Sequence, residues 1–303
     1  ELASAGFTKK NNEFKIQELA SNARLGELRA KLALREKELE ADAYAEQRPI
    51  YLKEPLKSDG SLVLSDRRIP LNGLITMETA DEVSERIDYF NNKTHEYPIF
   101  LVIDDSPGGS VMAGYKILKS MQSSTAPVYV VVKSFAASMA AAIATLSERS
   151  FAYPNAIIMH HQISAGTAGN LTLQRESVKM LEEWWQRLAA PIAAKMGIST
   201  DDFIKQMYAH TATGDWKEFA DNAAKLKWVD VVVGRCQETA WIKNPDSERP
   251  LGGQLATSAR NQARVSQRAE TLDAKGRPFM TLPRLNPIDC YYLYNPDSYF
   301  RSE

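Results

Sequence analysis

Two short, unbroken apolar runs, Ile99-Phe100-Leu101-Val102-Ile103 and Val128-Tyr129-Val130-Val131-Val132, constrain this chain more than anything else in it. They are rich in β-branched residues, too short for buried helices, and lack the polar alternation of a strand with one wet face. Such runs suit strands covered on both faces, as in a parallel sheet. Ile157-Ile158-Met159 and Val229 to Val233 read the same way. Between and after them the spacing predicts helices over Val111–Ser123, Ala137–Leu146, Leu171–Lys195, Thr200–Tyr208 and Trp216–Leu226. Strands alternating with helices predict an α/β fold with right-handed crossovers.

The flanks differ from this body, which occupies residues 49–240. Residues 1–48 are polar and lack proline, and Leu19, Leu25, Leu28, Leu32 and Leu39 recur roughly at helical spacing among alternating charges. They predict a charged helix, either packed on a neighbour or in a coiled coil with other copies of the chain, because so thin an apolar stripe does not stand alone. Residues 241–303 form an extended C-terminal tail. Pro245, Pro250, Gly252 and Gly253 mark an extended or mobile linker. The end of the tail, with Tyr291, Tyr292, Tyr294, Tyr299 and Phe300, is too apolar to float and is expected to dock on the body or on a neighbouring subunit.

Composition excludes several classes. The formal net charge of −1, from 37 Lys+Arg against 38 Asp+Glu, leaves no basic surplus for nucleic acid. No run of about 18 apolar residues is present to span a membrane. Two cysteines define no disulfide framework, and with four histidines and no C-x-x-C pair no metal site or other cofactor is expected. The chain opens on Glu1 rather than Met, as it would after removal of a leader or a truncation upstream, so the compartment stays open between cytoplasmic, organellar and exported.

Three segments carry chemistry. Ser106-Pro107-Gly108-Gly109-Ser110 follows the first strand; its glycines allow positive φ, and their N–H groups suit a phosphate or an oxyanion, although strand-to-helix turns often carry glycine for geometry alone. Ser138 opens an Ala-rich helix directly after the second strand. It reads either as an ordinary helix cap or as a hydroxyl presented to a cleft where the helix dipole favours negative charge. His160-His161 ends the strand Ile157–Met159; a serine nucleophile needs a base of near-neutral pKa, and only one of two adjacent histidines can face it. His160 is read as the one that faces away, and Asp104 and Asp105 as solvated strand ends.

Taken in order, Ser106-Pro107-Gly108-Gly109-Ser110, Ala136-Ala137-Ser138-Met139, and Pro154-Asn155 with His161-Gln162 resemble the Clp protease proteolytic subunit family, from about Arg68 to Asp230. The resemblance implies an α/β fold of the Clp protease and crotonase type, built from repeated β-β-α units. It implies a serine endopeptidase with Ser138 as nucleophile, His161 as general base, and the N–H groups of Gly109 and Met139 as the oxyanion hole. Ser110 and Gly166 are implied substrate-binding residues. Gly166 lies in the Gly-rich segment Ser164–Gly169, which is similar to the family's handle strand, where an extended substrate adds as a β-strand. The helix from Leu171 to about Lys195 resembles the handle that interleaves two stacked rings. Homo-oligomeric rings, unfolded polypeptide substrates and an AAA+ ATPase partner follow as implied partners; no P-loop is present, so any ATP use belongs to that partner.

The resemblance breaks at the third member of the triad. Alignment of Ile204-Lys205-Gln206-Met207 puts His210 where the family has an aspartate, while Asp215 stands five residues on. Asp215 is the favoured acid and His210 the alternative. Two other functions compete: a catalytically silent structural subunit of a mixed ring, and a crotonase-like enzyme acting on acyl-CoA, which would not need Ser138 and His161 together.

Overall fold

The computed structural model describes residues 2–42, 44–45, 48–165, 168–240, 242–243 and 270–301. The chain divides into two compact units, residues 1–48 with 240–257 and residues 49–239 with 258–303. The first unit holds the helix α1, Leu2–Asp42, along which Leu19, Leu25, Leu28 and Leu32 are each about half exposed or more. The expected linker lies mostly outside the described residues. Among the described residues no helix is long and apolar enough to cross a membrane, and no group of three or more His, Cys, Asp or Glu could hold a metal ion.

In the second unit the strands that concern the core and the site, numbered in chain order among themselves, are β1 (Ser61–Leu64), β2 (Arg68–Pro70), β3 (Leu74–Ile75), β4 (Ile99–Ser106), β5 (Gly108–Ser110), β6 (Val128–Ala137), β7 (Arg149–Ala152), β8 (Ile157–His160), β9 (Trp216–Phe219), β10 (Val231–Val232), β11 (Arg235–Glu238) and β12 (Tyr291–Leu293). The helices are α2 (Met77–Lys93), α3 (Val111–Ser123), α4 (Met139–Leu146), α5 (Leu171–Met196), α6 (Thr200–His210) and α7 (Ala220–Lys225). β2, β4 and β6 run parallel, and β6 then pairs with two partners in succession, its first half with β7 and its last residues with β8. β9 closes one edge antiparallel to β8.

The unbroken apolar runs are explained by cover on both faces. Leu101, Ile103, Val130 and Val132 point into the main core, which includes buried residues of α2 to α6. Their neighbours Phe100, Tyr129 and Val131 point the other way, against Leu62, Leu64 and Val233, beneath the parallel ribbon formed by β1 and β11. The α/β fold expected from the sequence is the fold observed.

Three elements differ from expectation. Trp216–Leu226 is not one helix: Trp216–Phe219 is β9 and only Ala220–Lys225 is helical, because β8 offers an open edge that those residues fill. Ala137 ends β6 rather than starting α4. Of Val229–Val233 only Val231–Val232 pairs, alongside β7.

A second, small sheet lies beside the first, in the order β12–β5–β3. The end of the tail has thus docked on the body, as the strand next to the glycine turn.

Candidate active site

The ends of three neighbouring strands bring the site together. Ala137 sits opposite Met159 in the parallel β6–β8 pair, so residues 138 and 161 leave adjacent strands at the same rim. Trp216 sits opposite His160 in the antiparallel β8–β9 pair, and one step further puts Asp215 beside His161.

At Ser138 the chain turns sharply into α4 with φ 59° and ψ −119°, a conformation few non-glycine residues adopt and one that costs about 1–3 kcal/mol. The turn is pinned by Ser138 N–H donating to the Met159 carbonyl at 2.9 Å and by Ala142 N–H donating to the Ser138 carbonyl at 2.9 Å. The hydroxyl caps nothing. It meets Nε2 of His161 instead. His161 Nδ1 lies 3.7 Å from Asp215 Oδ1, and Asp215 Oδ2 accepts a hydrogen bond from Thr213 Oγ1 at 2.9 Å. His210, the alternative acid, is exposed at the end of α6 and stacks on Trp216 at 4.7 Å. Asp215 is therefore the candidate that stands at the base. His160 faces away, with Nε2 3.1 Å from Thr145 Oγ1 and its ring against Trp228. Lys133, on β6 ahead of the serine turn, pairs with Glu238.

The glycine turn lies alongside. A Cβ on Gly108, where φ is 96°, would fall 2.7 Å from Ser138 Cβ and 2.8 Å from Met139 N. A Cβ on Gly109 would fall 2.2 Å from the Ile75 carbonyl oxygen. Both positions are closed to a side chain, so the main chain of residues 108–109 packs directly against the serine turn and β3. Gly108 thus abuts both Ser138 and Met139, with Gly109 next along the chain against β3.

Ser110 is fully buried; its Oγ caps α3, accepting from Ala113 N–H at 3.0 Å, and donates to Asp289. Ser164 and Ala165 form no strand but line a cleft of about 640 Å³ together with His161 and Asp215. Gly166 lies outside the described residues.

The sequence reading missed Asp289 and Tyr292. The Tyr292 ring stacks on the His161 imidazole at 4.9 Å and 10°, and its hydroxyl donates to the His161 carbonyl at 2.7 Å. Asp289 accepts from Ser110 Oγ and, at 2.9 Å, from Met112 N–H. The only signal for either was the aromatic character of the tail.

Burial governs the charge state of both histidines. It pulls His161 down to about 4 against the opposing pull of Asp215, and it pulls His160 down to about 3, helped by His161. Both are neutral at pH 7. An unfolded chain would protonate each near 6.5, so it binds more protons than the native state between that value and the depressed ones. Stability is therefore complete above about pH 6.5 and declines as pH falls towards 4. Between pH 7 and pH 5 the loss is expected to be on the order of 1–2 kcal/mol per histidine. Urea midpoints recorded at the two pH values check this, and equal midpoints would refute it.

A family model described as Clp protease matches residues 54–217. Three curated relatives carry the name ATP-dependent Clp protease proteolytic subunit. That of Ligilactobacillus salivarius (strain UCC118) is 36% identical over 114 residues, 37% of this chain and 57% of that protein. That of Streptococcus mutans serotype c (strain ATCC 700610 / UA159) is 27% identical over 175 residues, 57% of this chain and 87% of that protein. That of Streptococcus pyogenes serotype M5 (strain Manfredo) is 29% identical over 171 residues, 56% of this chain and 80% of that protein.

Proposed function

This chain belongs to the Clp protease family, whose model covers more than half of its 303 residues, and from that premise we propose that it is a serine endopeptidase that cleaves unfolded polypeptides through an acyl-enzyme. Membership supports a serine protease function in general. The finer reading rests on one observation: Ser138 Oγ meets His161 Nε2, on a strained turn against which the main chain of Gly108 packs.

In the proposed reaction Ser138 Oγ attacks a peptide carbonyl carbon while His161 Nε2 takes its proton. The carbonyl oxygen, now negative, is held by the N–H groups of Gly109 and Met139. His161 gives the proton to the leaving amine as the C–N bond breaks. A water then hydrolyses the ester by the same steps. Asp215 holds the imidazole in orientation and stabilises its charged form. The relatives are named as proteolytic subunits of an ATP-dependent protease, so the proposal extends to an oligomeric ring and an AAA+ ATPase partner.

One observation favours a second reading, a silent structural subunit: Ser138 has no exposed surface. Prolonged incubation with a fluorophosphonate separates the two. The peptidase reading expects a covalent adduct on Ser138, found by mass spectrometry of the digested protein and at least 100-fold slower to form in His161→Ala. An intact chain that never forms the adduct, with or without the tail contacts described below, favours the silent subunit.

A further inference from the structure

The edge of β5 is already occupied by this chain. β12 runs antiparallel to it, with Tyr292 opposite Gly109, Tyr291 opposite Ser110 and Leu293 opposite Gly108. The ladder continues past both ends: Val111 N–H donates to the Cys290 carbonyl at 3.0 Å, and Tyr294 N–H to the Pro107 carbonyl at 2.9 Å. These are main-chain bonds, which any extended polypeptide can make whatever its side chains. The position of the strand is specific to the chemistry. A Cβ on Gly108 would lie 2.5 Å from the Tyr292 carbonyl oxygen, as well as close to Ser138 Cβ and Met139 N. The Tyr292 carbonyl therefore points into the corner where a scissile carbonyl would have to lie. The Tyr292 ring covers the imidazole of the base, and His161 is only 8% exposed. A working nucleophile must be reached by its substrate, yet here the chain's own tail fills the approach.

We propose that residues 289–294 are a built-in occupant of the substrate-strand site, so that a polypeptide reaches Ser138 only after this segment has left the edge of β5. The inference deepens the peptidase reading above and rests on it for the identity of the site. Clasps that fix the segment sit at its two ends. Asp289 is held by Ser110 Oγ and Met112 N–H, and at the far end the Tyr294 hydroxyl accepts from Lys217 Nζ at 2.7 Å. Because the occupant is tethered, it competes at an effective concentration on the order of millimolar. A dilute peptide therefore meets a site that is mostly filled. This occupancy raises KM far more than it lowers kcat.

Release is tested in the full chain with the double variant Asp289→Ala/Tyr294→Pro, which removes the carboxylate clasp and the Tyr294 N–H. Hydrolysis of a short fluorogenic peptide should rise at least about 10-fold in kcat/KM, carried by KM, and a synthetic peptide of residues 287–295 should then inhibit competitively. Asp289→Ala alone, the milder change should the double variant not fold, is expected to move kcat/KM in the same direction. A folded variant with unchanged kcat/KM overturns the inference. A second measurement is independent of turnover. With Ser138→Ala in both backgrounds, the fluorescein-labelled 287–295 peptide should bind the release variant at least 10-fold more tightly than the parent. Equal binding, or none to either, sinks the inference even if hydrolysis is normal. Tight binding to the release variant with no hydrolysis or fluorophosphonate adduct in any form sinks the peptidase reading and leaves the strand-for-strand exchange standing.

Discussion

Ser138→Ala is expected to reduce peptide hydrolysis by about 10⁶ in kcat, the loss seen when a serine that works as one unit with its histidine is removed. The reason is local. In the proposed mechanism the Ser138 hydroxyl is the nucleophile and His161 Nε2, which it meets, accepts its proton. The substitution should be mild for the fold. Alanine keeps the Cβ and pays the same penalty at φ 59°, so the principal cost is a buried imidazole nitrogen left without its partner, about 1–3 kcal/mol. Ser138→Gly should be inactive too, yet more stable than the alanine variant by about 1 kcal/mol, since glycine takes positive φ without strain. Thermal melts of the two variants read the strain directly, and a rate within 10-fold of the parent in either would end the acyl-enzyme mechanism.

Asp215→Asn should lower kcat/KM by about two to four orders of magnitude with little change in folding. An amide fits the same space and can keep the contact with Thr213, but it brings no charge to the imidazolium that forms as Ser138 gives up its proton. Asp215 is also the group that holds His161 up against burial. Without it the free base falls further below its ordinary value, so the acid limb of kcat/KM should move to lower pH while the plateau drops. A merely structural residue would lower the plateau without moving the limb. His210→Ala should change the rate by no more than a few-fold, because its ring stacks on Trp216 and not on the base. Reversal of the two outcomes would reinstate His210.

The sheet was legible because its strands are buried on both sides and therefore carry no polar alternation, and Val111–Ser123 was legible because Ser110 caps it and its apolar face is regular. Ser138 and His161 were legible as residue types at strand ends. Their approach is a matter of register, which residues 138 and 161 do not carry in themselves. The third member stayed ambiguous for the same reason: it is the pairing of Trp216 with His160 that brings residue 215, and not 210, beside His161. β9 read as helix because Trp216–Phe219 has no strand signature of its own and gains strand geometry from the open edge of β8. The role of Tyr292 was illegible because its partners lie 131 and more residues away along the chain, with a segment of no regular pattern between.

That separation has a consequence for the order in which the molecule is completed. A ribosome delivers the chain from its N-terminus at about 5–20 residues per second, and domains fold as they emerge. The 131 residues from His161 to Tyr292 therefore take roughly 7–26 seconds to make. The strands that carry Ser138, His161 and Asp215 are translated well before the segment that covers them. Each newly made molecule thus passes through an interval in which the corner of Ser138, His161 and Asp215 has been synthesised and its own covering strand has not.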